Sequence, residues 1–384
     1  MAIRTAKRLE SFPEYIHSRM AREAADIEKK TGRKVLSFGA GSPDFPPSQK
    51  YVDRYADLVR LHDAHLYPGY GGIPKFQTAL QTWYEKRFGV KLASDEILPL
   101  IGGKDGTSHL PFALLDPQDE LLVPDPGYPG FVGTLPMVGA TPVFYELPES
   151  KDFRLDIAKI EEKVTSKTRG LWANFPSNPT GQVATKEELA LLVAFAKKRN
   201  LFILYDNAYS EVTFDGFKAP SILEVSGATE VAVELGSFSK MRSFAGYRMG
   251  WVAGNRDAIA ALAKVKSQID SGLSLSLQRL GAFALLEEDS KWERDMLQSY
   301  EARRNTIGKF LRTLGMSFTL PKGALYLWAK IPESAKDSES FAMDILRDKQ
   351  ILVTPGTAFG ESGSRYVRAS FCVNIDGIEE YFPK

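Results

Sequence analysis

From residue 97 to residue 240, short apolar runs alternate with segments of helical periodicity, and this alternation restricts the fold more than any single motif. The runs fall at 97–101, 120–124, 141–145, 169–175, 201–206 and 231–235. Between them lie an apolar segment at 109–115, a helix at 155–165 and an amphipathic helix at 187–199. Chains of this pattern form an α/β domain, a mostly parallel sheet flanked by helices. Sheets of that kind bind ligands beyond the carboxyl ends of their strands. Lys104, Tyr128, Asn178, Asp206 and Lys240 all fall at or just past such ends.

Around this stretch the pattern is different. An N-terminal arm and helix occupy 9–31, stopped by Gly32, and a short strand follows at 35–38. Helices are expected at 49–62, 74–88, 256–267 and 274–287, then a long charged one at about 290–314. Beyond it, short strands at 323–329, 351–355 and 366–371 flank a helix near 340–348, the pattern of a smaller α+β domain. The 384 residues suffice for two domains. The expected division is 1–48 for the arm and part of the small domain, 49–288 for the large domain and 289–384 for the small domain.

A net charge of +1 gives no pull toward nucleic acid or an anionic membrane. The single cysteine, Cys372, excludes an intrachain disulfide, and with only four histidines no metal site is implied. The basic N-terminus is not followed by an apolar signal core, and no run approaches the roughly 18 apolar residues of a membrane span. A cytoplasmic location is expected.

Residues 237–240 read Ser-Phe-Ser-Lys, with Arg248 shortly after. A lysine beside cations or an apolar wall loses its proton readily and attacks carbonyls. Hydroxyls and an arginine fork hold phosphate. Together they suggest a lysine joined to a phosphate-bearing aldehyde, which is what pyridoxal 5′-phosphate requires; a loop lysine facing solvent is the plainer alternative. Gly102, Gly103 and Lys104 stand where a strand gives way to a helix, a place that suits an anion or simply a tight turn. The Gly/Pro-rich loop 39–47 either brings its backbone to a ligand or turns a corner. Tyr67 and Tyr70, on a second such loop, are packing aromatics or hydroxyls offered to a ligand.

Seven motifs in order then carry a resemblance: Gly-Ser-Pro-Asp-Phe-Pro at 41–46, Tyr-Pro-Gly-Tyr-Gly-Gly at 67–72, Asp-Pro-Gly-Tyr-Pro at 125–129, Ser-Asn-Pro-Thr-Gly at 177–181, Tyr-Asp-Asn-Ala-Tyr at 205–209, Ser-Phe-Ser-Lys at 237–240 and Val-Arg-Ala-Ser at 367–370. From about residue 9 to 380 the chain resembles the class I/II pyridoxal-phosphate-dependent aminotransferases of fold type I, and among them the LL-diaminopimelate aminotransferase-like group. It departs from that group at Gly102-Gly-Lys-Asp-Gly, where Gly-Ser-Lys-Glu-Gly is usual. It departs again at Met241-Arg-Ser-Phe-Ala-Gly-Tyr-Arg, where Thr-Tyr-Asn-Met-Thr-Gly-Trp-Arg is usual.

The resemblance implies a role for each matching residue. Lys240 carries the cofactor and moves the substrate's Cα proton. Asp206 faces the pyridine nitrogen. Asn178 and Tyr209 reach the phenolic oxygen, and Tyr128 stacks on the ring. Ser237, Ser239 and Arg248, with the N–H groups of Gly103 and Lys104, hold the phosphate. Tyr67 reaches the phosphate of a second subunit, so a homodimer with shared sites is implied, and Tyr70 is a further candidate. Arg368 grips the substrate α-carboxylate, with Arg365 as a rival. Gly41, Asn178 and Tyr15 also touch substrate. His109, Cys372 and Trp251 are read as structural.

The function so implied is amino transfer between an amino acid and a 2-oxo acid, alternating through pyridoxamine phosphate, with LL-diaminopimelate and 2-oxoglutarate as one pair. The alternative is a carbon–sulfur β-lyase or related lyase built from the same residues. A regulatory protein with an aminotransferase-like sensor is disfavoured, because no DNA-binding segment is expected at either end.

Overall fold

The computed structural model describes residues 3–11 and 16–381. Tyr15 lies outside the described residues. In chain order the strands are β1 (Leu36–Ser37), β2 (Ile97–Leu100), β3 (Glu120–Asp125), β4 (Thr141–Glu146), β5 (Thr168–Asn174), β6 (Phe202–Asp206), β7 (Ala232–Ser237) and β8 (Gly250–Gly254). They continue as β9 (Tyr326–Lys330), β10 (Ile351–Leu352), β11 (Thr354–Pro355) and β12 (Tyr366–Ser370).

Seven strands form one sheet in the order β2-β8-β7-β6-β5-β3-β4. All neighbours run parallel except β8, which is antiparallel to both β2 and β7. The parallel strands β3, β5, β6 and β7 are buried on both faces over most of their length, which is why they read as apolar runs, whereas Tyr145 alone is buried on the edge strand β4. Alternate residues feed different cores: Ile203 and Tyr205 pack on one side of β6 and Leu204 on the other. β8 is not evident in the sequence, because Gly250 and Gly254 bound a run of only three residues between them.

Helix boundaries follow their capping chemistry. Thr185 and Glu188 form a reciprocal capping box at the start of Lys186–Arg199, and Asn200 ends it in the left-handed conformation. The helix expected at 155–165 shrinks to Ile157–Glu161. The predicted strand at 351–355 is two short ones that part company: β10 pairs with β1, while β11 joins β12 and β9 in an antiparallel sheet.

A separate apolar core lies under this smaller sheet. It holds Leu327, Ala329, Val367 and Ala369 from its strands and Ile307, Phe310 and Leu311 from helix Ser290–Thr313. Met20, from the N-terminal helix Ile16–Thr31, is buried in the same core, as are Tyr209, Val212 and Phe214, which follow β6. The two cores therefore meet just beyond the carboxyl ends of β5, β6 and β7.

Candidate active site

At that meeting place lies a cavity of about 720 Å³. Its floor is the large sheet; β9, β12, the loop at 39–41 and helix Ile16–Thr31 supply the other walls.

β7 is buried along its whole length and ends at Ser237. The Ser237 hydroxyl accepts the N–H of Ser239 at 3.2 Å, capping the short helix Phe238–Met241, and Lys240 enters the cavity from that turn. Lys240 Nζ donates to the Gly41 carbonyl at 2.8 Å and lies 5.6 Å from the Tyr209 ring centre. Burial pushes this amine down to about 8.

β6 ends at Asp206, opposite Asn174 of β5. The Asn174 side chain donates to the Asp206 carbonyl at 2.9 Å and accepts the Asn178 N–H at 2.8 Å. One amide thus fixes both neighbouring strand ends. Asp206 Oδ1 accepts the Ala208 N–H at 3.1 Å. Burial raises its carboxyl to about 6, opposed by that hydrogen bond and by Lys240.

The substrate-facing wall is equally tied. Arg368 is 4% exposed; it donates to Asn178 Oδ1 at 2.9 Å and to the Gly39 carbonyl at 2.8 Å, and its Nε is buried without a partner. Its guanidinium lies between the Tyr326 and Phe359 rings, 4.3 and 4.6 Å from their centres. Arg365 is spent elsewhere, on the carbonyls of Pro332, Ala335 and Lys336. Tyr209 shares a 2.8 Å hydrogen bond with Tyr326. A side chain at position 41 would collide with the Tyr326 ring, so only glycine permits this approach.

On the other side, helix Gly103–Leu114 points its first turn at the cavity, and Gly103 and Lys104 both line it. Gly102 precedes the helix at φ +78, where a side chain would also strike the Arg248 guanidinium. Arg248, itself left-handed at φ 56, donates to the Ala245 carbonyl at 2.9 Å and closes the cradle begun by Ser237 and Ser239. Asp105 and Lys266 form a buried ion pair at the same turn, extended by Asp270 at 2.7 Å and by His109 at 2.6 Å. Lys266, from helix Arg256–Ile269, thus anchors the helix from behind, and His109 pairs with Asp105 within the helix. Trp251 does similar work, donating to the buried Tyr84 hydroxyl at 3.0 Å.

Tyr128 lines the cavity, set edge-on to Phe131, which stacks on Trp172. Tyr67 does not: it is 83% exposed on the loop before helix Pro74–Phe88, outside this chain's own cavity. Tyr326 and Asn174 were not singled out in the sequence. Tyr326 carries a readable signal, since strand alternation puts it with Trp328 on one face, opposite Ser370 and Arg368 of β12. Asn174 has none, because its role depends on the β5–β6 register.

The mostly parallel sheet, with a lysine and an acid at its strand ends and a buried arginine across one cavity, defines the α/β class. The model of the family "Aminotransferase class I and II" matches residues 33–381, and the chain belongs to that family. It is 38% identical to an LL-diaminopimelate aminotransferase of Dehalococcoides mccartyi, covering 100% of this chain and 98% of that one. It is also 38% identical to an LL-diaminopimelate aminotransferase of Desulforudis audaxviator, covering 99% and 96%. Among solved structures, substrate-bound BacF from Bacillus subtilis superposes with a TM-score of 0.92 at 31% identity, covering 99% of this chain and 96% of that one. The protein is an aminotransferase, and no finding favours the lyase alternative. Among the described residues, no helix is long and apolar enough to cross a membrane.

Proposed function

We propose that this aminotransferase works with pyridoxal 5′-phosphate and that the cavity residues expected from the sequence hold it and its substrate. The observation that carries this reading is the convergence of the half-buried Lys240 amine and Asp206 carboxyl on one cavity with Ser237, Ser239, Arg248 and Arg368, the amine pushed down to about 8 and the carboxyl up to about 6. The donor set fits the cofactor. Ser237, Ser239, Arg248 and the first-turn N–H groups of Gly103–Leu114 suit a phosphate, and Asp206 suits a protonated ring nitrogen. Asn178 and Tyr209 offer hydrogen bonds to a phenolic oxygen, and Tyr128 an aromatic face. When bound, the cofactor supplies an electron sink for the bonds at the substrate Cα.

The chain's own groups do the rest. Arg368 orients the amino acid by its α-carboxylate, using the fork that now holds Asn178 and Gly39 and the Nε that lacks a partner. Lys240 Nζ, neutral above about pH 8, takes the proton from Cα and returns it elsewhere on the bound pair. Asp206, held by Ala208 and Asn174, keeps a proton on the ring nitrogen. Helix Ile16–Thr31 covers the cavity and limits water.

Residues 1–48 and 289–384 form one unit in this reading and 49–288 the other, supported by the β1–β10 pairing. The active unit is a homodimer in which Tyr67 reaches the cavity of a second copy. Support comes from an exposed apolar run at Val59, Leu61, Leu66, Tyr67 and Tyr70. The relatives named for LL-diaminopimelate make that compound the first donor to assay, with 2-oxoglutarate as acceptor.

Lys240→Ala should bind cofactor without covalent attachment and lose transfer by about four orders of magnitude or more. Asp206→Asn should lose at least about two orders. Absorbance of the purified protein and amino-group transfer check both. A Lys240→Ala protein within about tenfold of wild type would remove the reading.

A further inference from the structure

Among the described residues, the cavity's charged groups can be assigned one by one, and they run out before the substrate side chain is reached. Resting on the site reading above, Arg368 takes the α-carboxylate, Arg248 the phosphate, and Lys240 and Asp206 the chemistry. Lys104 belongs to the first turn of helix Gly103–Leu114, on the phosphate side. The remaining wall is helix Ile16–Thr31, which turns Met20, Ala21, Ala24, Ala25 and Glu28 toward the cavity, a single helical face. Four of these five are apolar, and three carry no more than a methyl group, which leaves room beside them. The one charge, Glu28, is negative and accepts the Val35 N–H at 2.7 Å. Val35 and Leu352 continue the apolar lining. None of the helix's four Lys and Arg side chains lines the cavity: Arg19 pairs with Glu339 at 2.9 Å, and Arg22, Lys29 and Lys30 lie outside the lining. A second copy would not add charge through its Tyr67 loop, since residues 64–74 contain no Asp, Glu, Lys or Arg.

We propose that helix Ile16–Thr31 makes this enzyme selective for amino acids with bulky apolar side chains, aromatic or branched aliphatic, over those whose side chain ends in a lone carboxylate. A distal carboxylate placed against this wall would lose its hydration, gain no cation and face Glu28. An apolar side chain there gains burial at no such cost.

The test uses the cofactor-loaded enzyme. Phenylalanine, leucine, alanine, glutamate, aspartate and LL-diaminopimelate are each mixed with it, and the change in cofactor absorbance gives kcat/KM for the half-reaction. Unreactive 3-phenylpropanoate and glutarate are titrated by calorimetry. Phenylalanine and leucine should exceed glutamate and aspartate by at least about tenfold, and 3-phenylpropanoate should bind at least about tenfold tighter than glutarate. Ala25→Trp changes an exposed helix position, so folding is spared. It should lower kcat/KM for phenylalanine and leucine by about tenfold while alanine stays within about twofold. Equal or better use of glutamate or aspartate overturns the proposal, as does an Ala25→Trp effect that is absent or equal for alanine and phenylalanine. Response to no amino acid at all would remove the site reading as well; a reversed preference removes only the selectivity.

Discussion

Lys240 is a base because of where its side chain ends. An exposed lysine holds its proton to about pH 10.4. Here burial lowers that to about 8, and the Gly41 carbonyl accepts from the amine. The neutral amine is the nucleophile, so cofactor-free protein should attach an aldehyde faster as pH rises, with the midpoint near 8 rather than near 10. Stopped-flow absorbance after mixing with pyridoxal phosphate, from pH 6 to pH 10, measures this; a midpoint at the free-lysine value would show that the cavity does not desolvate the amine. Arg368 offers a second residue-level expectation. Lysine keeps the charge but not the fork, so Arg368→Lys should raise KM for amino acids by about a hundredfold and leave cofactor binding intact. Steady-state kinetics alongside cofactor titration separates the two effects.

The site's elements are held from behind by buried polar networks. Glu234 of β7 accepts from the Tyr84 hydroxyl at 2.9 Å, the Ser221 hydroxyl at 2.7 Å and the Ile222 N–H at 3.0 Å. It thereby joins the strand leading to Lys240 to helix Pro74–Phe88, and burial raises its carboxyl to about 7. A carboxyl whose folded value lies above its unfolded one favours folding below the unfolded value, and that contribution is lost as pH rises through the folded one. The window for Glu234 is therefore about pH 4.5 to 7. Glu234→Gln keeps an acceptor and cannot ionise, so its melting temperature relative to wild type should climb between pH 5 and pH 8. A pH-independent difference would mean that Glu234 does not titrate in the fold. Glu234→Ala strands three donors and should cost about 3 kcal/mol near pH 5, and less as the pH rises toward 7.

At the scale of the whole molecule, the cavity exists only where two cores meet, and one of its expected residues lies elsewhere. Tyr67 and its apolar neighbours face outward. If each cavity borrows Tyr67 from a second copy, Lys240→Ala and Tyr67→Ala, each nearly inactive alone, should complement each other. After co-refolding, half the dimers are hybrids with one intact cavity, so about a quarter of wild-type activity should return. No recovery, with dimers present by light scattering, would show that Tyr67 does not serve the second copy's cavity, and a Tyr67→Ala protein active by itself would place Tyr67 outside catalysis.

The chain's pattern determined by itself the α/β class, the strand ends and the residue types gathered there. Apolar runs buried on both faces declare parallel strands locally, and lysine, acid and arginine at the ends of such runs keep their chemistry in any register. It did not determine β8, whose glycines hide it, nor the parting of β10 from β11. It was silent on Asn174, which matters only because β5 and β6 align it with Asp206, and it left Arg365 and Arg368 as rivals until β12 turned one inward and spent the other on carbonyls. The apolar wall of the cavity is likewise tertiary: Met20, Ala21 and Ala24 are ordinary helix residues until a second core brings them opposite Lys240. Local periodicity is set by neighbours in the chain, whereas which face meets which, and how far a buried amine is taken from water, depends on contacts between residues hundreds of positions apart.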